Sequence, residues 1–134
     1  MKMKAHLRVM AVLAVSTAAH AQTVTWSGGA FASWFTNSNW TPAQVPTNGP
    51  GLHYTVIVPG SVGVSYDGGR SGTIDALSLG SQAALRLTGG SQLEVFGPSI
   101  LRGAIDAQGG SIFRALTNQT VLSDYPQLFA SDGG

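Results

Sequence analysis

The sequence predicts an all-β protein, a single-stranded parallel β-helix (solenoid) of about three coils closed at its N-terminal end by an aromatic cap. Three observations carry this expectation. Glycine pairs at Gly68-Gly69, Gly89-Gly90, Gly109-Gly110 and Gly133-Gly134 recur with a spacing in the low twenties, a period in the range of stacked repeats. Leu77/Leu79, Leu85/Leu87 and Leu93/Val95 recur at eight-residue intervals, each pair enclosing one outward residue (Ser78, Arg86, Glu94), and period-two alternation is the mark of a strand. All three Trp (Trp26, Trp34, Trp40), with Phe31 and Phe35, lie within 22–59, where a first coil with nothing above it needs atypical residues to close it.

Residues 1–21 read as a secretory signal peptide. Lys2, Lys4 and Arg8 precede an apolar run from Val9 to Ala19, and Ala19-His20-Ala21 gives a small-x-small cleavage pattern before Gln22. The apolar run is about a dozen residues where a membrane span needs about twenty, so no span is expected after cleavage. The exported chain holds four Arg and no Lys against six carboxylates, a formal charge of −2, and without a basic patch no nucleic-acid partner is expected. Cysteine is absent, so core and ladder alone must hold an exported fold together.

Within 22–59, Thr23 to Trp26 alternates like a strand and stops at Ser27-Gly28-Gly29, while Asn37 to Gly51 is turn-rich and reads as a surface loop. From residue 60 to 134 the chain reads as β-helix coils. Strands are expected at Tyr54 to Val58, Val62 to Tyr66, Ile74 to Leu79, Ala84 to Leu87, Gln92 to Phe96, Ile100 to Ile105 and Ser111 to Ala115, with two or three edges per coil and corners at Gly80, Gly89-Gly90 and Gly97-Pro98. Thr120 to Leu122 and Gln127 to Ala130 read as two more edges, with a short amphipathic helix as the alternative. Ser131 to Gly134 reads as the opening of a further coil, so downstream coils are expected to be missing from this chain.

One coil cannot stand alone. Ile74, Leu77, Leu79, Leu85 and Leu87 are the inward candidates between Gly68 and Thr88, contributing roughly 1.5 to 3 kcal/mol each if fully buried. Ordering about twenty residues costs on the order of 1 to 2 kcal/mol apiece, so stability must come from stacking.

The run Thr25-Trp26-Ser27-Gly28-Gly29, Trp34, Ser38-Asn39-Trp40, Val45-Pro46, then Tyr66-Asp67-Gly68 and Leu77-Ser78-Leu79-Gly80, resembles the opening of bacterial exported repeat proteins of the autotransporter-passenger and PEP-CTERM surface type. The resemblance spans about residues 23 to 95 and implies a right-handed parallel β-helix with an N-terminal cap, at the cell surface or secreted. It departs from the family in the Phe- and Ala-rich stretch between Gly29 and Trp40, and no barrel, anchor or sorting segment is visible.

No residue set identifies a reaction. Polysaccharide hydrolysis needs two positioned carboxylates about 5 to 10 Å apart, and Asp67, Asp75, Glu94 and Asp106 are scattered, Asp67 as a turn residue and Asp75 and Asp106 as repeat positions in Ile-Asp-Ala contexts. Arg70, Arg86 and Arg102 recur every sixteen residues, out of register with a coil near twenty-one, and read as solvated. His53 is the one histidine beyond the signal and reads as a loop residue. No catalytic residue, metal or cofactor is expected, and only Ala19 and Ala21 are assigned, to signal cleavage. The expected function is a secreted or surface-exposed structural or adhesin-like module without catalytic activity, with surface polysaccharide or matrix as its partner. Two alternatives stay open: a carbohydrate-binding module using Trp34 and Trp40, and a fragment of a β-helical polysaccharide-active enzyme.

Overall fold

Short runs of alternating aliphatic and polar residues, broken every few positions by Gly, Ser or Asp, leave this chain little choice but brief strands that each bury one face. The computed structural model describes residues 21–116, with the backbone of 20, 119–121 and 127–130. It is all-β, with predominantly parallel sheets. The strands are β1 His20–Trp26, β2 Ala32–Ser33, β3 Trp40–Thr41, β4 Leu52–Val58, β5 Gly63–Tyr66, β6 Ser71–Ile74, β7 Ala76–Leu79, β8 Ala84–Leu87, β9 Gln92–Val95, β10 Ser99–Leu101, β11 Ala104–Ala107, β12 Ile112–Ala115, β13 Gln119–Val121 and β14 Gln127–Ala130, with a 3-10 turn at Asn37–Asn39.

Among the described residues these strands form three sheets, in the orders β13-β10-β7-β4-β1-β3, β14-β11-β8-β5-β2 and β12-β9-β6. From β4 to β11 each strand pairs in parallel with the strand three places on. Gly63 lies beside Ala84 and Ser71 beside Gln92, an advance of twenty-one positions; Ala84 lies beside Ala104 and Gln92 beside Ile112, an advance of twenty. These advances match the spacing of the first three glycine pairs. Among the described strands, the one antiparallel pairing sets β3 against β1 at the N-terminal edge.

The registers line up the apolar side chains. Val24, Val56 and Leu77 form one ladder, Val58, Leu79 and Leu101 a second, and Val64, Leu85 and Ile105 a third. All nine side chains are buried. Two further ladders have complementary volumes: Tyr66, Leu87 and Ala107 shrink along the stack while Gly72, Leu93 and Phe113 grow. At the wide end of the first ladder the Tyr66 hydroxyl reaches β6, lying 2.5 Å from where a Cβ on Gly72 would stand. A close-packed interior tolerates only one large side chain per level there.

The glycine pairs are the corners between the second and third sheets. Both members of the pairs that begin at Gly68, Gly89 and Gly109 have positive φ, from 62° to 80°, where a Cβ is strained and glycine is not. Successive corners are clipped together by serines: Gly69 donates its N–H to Ser91 Oγ at 3.1 Å, and Ser91 donates its own to Ser111 Oγ at 3.1 Å. The fourth pair lies outside the described residues.

Several sequence expectations need correction. Ile74 to Leu79 is two strands, β6 and β7, separated at Asp75, and Ile100 to Ile105 is likewise divided by Arg102-Gly103. Apolar residues on both sides of those breaks hid them, because the chain turns a corner while still presenting aliphatics inward. From β4 onward, one strand from each of the other two sheets therefore lies between a strand and its parallel partner along the chain. The 37–51 segment is more than a surface loop: Trp40 and Pro46 are buried, and Asn48 donates its N–H to Thr73 O at 2.7 Å, covering the free edge of β6. The expected division at 59/60 leaves no mark on the pairing, since β4 joins β1 to β7 in one sheet. In the tail, β13 and β14 fall on the two expected edges, and no α-helix occurs among the described residues.

Candidate functional site

Trp34 and Trp40 do not form a carbohydrate platform. They are 0% and 2% exposed, and their faces are taken by each other and by Trp26 and Tyr66. Centroids lie 4.7 Å apart for Trp34 and Trp40, 5.0 Å for Trp26 and Trp40, and 5.2 Å for Trp34 and Tyr66, all edge-to-face. Such packing favours a closed aromatic cluster. Trp40 donates its indole N–H to Trp34 O at 2.7 Å, and Trp34 donates to Pro46 O at 3.2 Å, which ties the 40–46 segment over the N-terminal end of the interior. Ala21 of the expected cleavage motif lies on β1; Ala19 is outside the described residues.

The polar residues converge elsewhere. His53 is on β4, in a strand rather than a loop, and Asp75 stands at the β6–β7 corner. Asp75 Oδ1 accepts from Asn48 Nδ2 at 2.7 Å and lies 2.9 Å from His53 Nδ1. With a carboxylate facing it, Nδ1 is the protonated nitrogen of His53. Asn48 Oδ1 accepts the Tyr54 N–H at 2.9 Å. Asn48 thus commits its main-chain N–H and both side-chain polar groups to β4, β6 and the Asp75 corner, fixing the segment that carries it.

Beside this knot lies an open cavity of about 270 Å³ lined by Thr47, Asn48, Ser71, Gly72, Thr73, Gln92 and Glu94. Its floor is the outward face of β6 and β9, and Thr47 and Asn48 form its raised wall. Glu94 is engaged by Arg114 at 3.2 Å. The sequence marks Glu94 as an outward residue and a candidate acid, places Thr47 and Asn48 in a turn-rich stretch, and singles out none of the others. The signal that could have found them is the outward set on the third strand of successive repeats, Ser71 and Thr73 followed by Gln92 and Glu94.

The four candidate carboxylates have separate partners. Asp67 accepts from Ser33 Oγ at 2.8 Å, Asp75 holds Asn48 and His53, Glu94 meets Arg114, and Asp106 accepts from Gln108 Nε2 and stands 3.7 Å from Arg86. The shared Ile-Asp-Ala context is misleading: Asp75 is at a corner and Asp106 is within β11. Among the described residues no group of three His, Cys, Asp or Glu is placed to hold a metal, and among the described hydrogen bonds no hydroxyl meets His53. Of the three arginines read as solvated, Arg102 is exposed, while Arg70 and Arg86 do more. Arg70 stacks over Phe35 and Arg86 over Phe31, each guanidinium carbon 4.5 Å from the ring centroid, which holds the cap segment to the strands below.

Comparison with protein-family models, curated proteins and solved structures finds no match.

Proposed function

We propose that this chain is a structural or adhesive module of an exported protein, at the cell surface or in the extracellular matrix, and that its strands wind as a right-handed parallel β-helix. The observation that carries this reading is the parallel pairing of β5, β6, β8 and β9 with partners twenty or twenty-one positions on. A chain that advances by twenty to twenty-two positions from β4 to β12 at each return to the same sheet builds an elongated, side-exposed stack, an architecture that presents surface rather than enclosing a reaction centre. The right-handed sense follows from the near-universal hand of parallel crossover connections. The resemblance to autotransporter-passenger and PEP-CTERM surface proteins points the same way, as does the N-terminal sequence with its Ala19-His20-Ala21 motif.

Expression of the full chain in a Gram-negative host, followed by fractionation and N-terminal sequencing, tests export. The reading expects a product outside the cytoplasm that begins at Gln22. Retention in the cytoplasm with Met1 intact would sink it.

A further inference from the structure

We infer that the cavity over β6 and β9 is a binding site for one neutral sugar unit of an extracellular polysaccharide. The inference rests on the surface-module reading for the source of its ligand and on the cavity for its chemistry. Thr47, Ser71 and Thr73 contribute three hydroxyls, and Gln92 a carboxamide, to one concavity. Among the described hydrogen bonds none of these four side chains has a protein partner, so each is open to a ligand. Hydroxyls and amides both donate and accept, which is what the alternating donors and acceptors of a pyranose ring require.

Charge selects against acidic sugars. The lining contains no cation, and its one charged member is the Glu94 carboxylate, whose partner Arg114 lies one repeat further down, outside the lining. Arg114 already engages Glu94, and no cation in the lining is left to meet an anionic ligand, whereas a neutral polyol can donate to the Glu94 carboxylate. The volume, about 270 Å³, falls just below the roughly 300–1,000 Å³ common for small-molecule sites, which limits occupancy to about one ring.

The wall is fixed before any ligand arrives. Asn48 is anchored by bonds of 2.7, 2.7 and 2.9 Å to Thr73, Asp75 and Tyr54, so binding orders little backbone and forfeits little entropy. No aromatic side chain lines the cavity, so recognition runs through hydrogen bonds, and affinity for a single sugar belongs in the millimolar range.

Titration of 15N-labelled protein with cellotriose, mannotriose and chitotriose, and with triglucuronate as the acidic control, reads the site directly. At least one neutral trisaccharide should shift the amides of Thr47, Asn48, Ser71, Gly72, Thr73 and Gln92, with the acidic control leaving them in place. The double variant Ser71→Ala/Gln92→Ala, changed only on the solvent face, should keep its unfolding midpoint and bind about tenfold or more weakly, as the loss of two neutral hydrogen bonds implies. No shift with any neutral probe, shifts centred away from these residues, equal response to triglucuronate, or undiminished binding by the double variant would each overturn the inference. An exported protein that binds none of the sugars refutes this site alone, whereas a cytoplasmic protein that binds them refutes the surface reading and leaves the site standing.

Discussion

Tyr66 and Gly72 offer a sharp test of how the interior is filled. A methyl added at Gly72 meets the Tyr66 hydroxyl at 2.5 Å but the ring carbon beneath it at 3.7 Å and Thr47 Oγ1 at 3.6 Å. The clash therefore belongs to one oxygen, held on a rigid, fully buried ring. Overpacking of this kind costs about 1–3 kcal/mol, partly offset by the roughly 0.5–1 kcal/mol that alanine gains over glycine within a strand. Gly72→Ala alone should therefore destabilise by about 1–2 kcal/mol. The same hydroxyl has no hydrogen-bond partner among the described residues, so Tyr66→Phe should be near neutral or stabilising. With the oxygen gone, Gly72→Ala should become neutral or mildly stabilising, giving a coupling of about 1–3 kcal/mol. Urea unfolding of the four proteins, followed by circular dichroism, measures the cycle. Additivity within about 0.5 kcal/mol would show that the hydroxyl does not occupy the space in front of Gly72.

Three further outcomes follow from the same packing. Gly110 has φ of 76° with nothing within 4 Å of an added methyl, and Gly29 has equal room without the positive φ; Gly110→Ala should cost about 1–2 kcal/mol from backbone strain alone, while Gly29→Ala should cost nothing measurable in the same urea assay. Trp34→Ala should destabilise by about 3–5 kcal/mol, and in the parent protein acrylamide should quench the tryptophan fluorescence poorly; efficient quenching, or a sugar-induced change in that emission, would place the indoles at the surface. Burial holds the Tyr66 phenol above its ordinary range, so its contribution to stability is complete below the unfolded value near pH 10 and declines as pH rises beyond it, because the unfolded chain ionises first. Tyr66→Phe should flatten that alkaline decline in a pH series of unfolding midpoints, and an unchanged slope would count against the burial.

Much of the stack was legible because its code is short-range. Leu77, Leu79, Leu85, Leu87, Leu93 and Val95 alternate with polar neighbours, and alternation fixes both strand and inward face. The glycine pairs declared themselves because positive φ at two consecutive positions excludes most other residues. The corners at Asp75 and Gly103 were harder, since the chain there changes sheets without a glycine pair and with aliphatics on both sides. Tyr66 and Gly72 look unrelated along the chain, and only the register shows that one fills the space the other leaves. The site was least visible. Asn48 and His53 both reach Asp75 from more than one full repeat's worth of chain away, so nothing local marks them as partners, and Ser71, Thr73 and Gln92 look like any outward-facing polar residues until Thr47 and Asn48 are seen standing over them. The tryptophans misled in the opposite way: their sugar-stacking chemistry suggested a platform, while their mutual packing decides that they form the closure of the N-terminal end.

The proposed winding rests on strands that pair in parallel with partners twenty or twenty-one positions on. Cross-strand backbone NOEs in isotope-labelled protein test that most directly. The account predicts parallel-type contacts between the backbones of Ser65 and Arg86 and of Arg86 and Asp106. Antiparallel Hα–Hα contacts between neighbouring strands such as β7 and β8, as in a sandwich of hairpins, would contradict it.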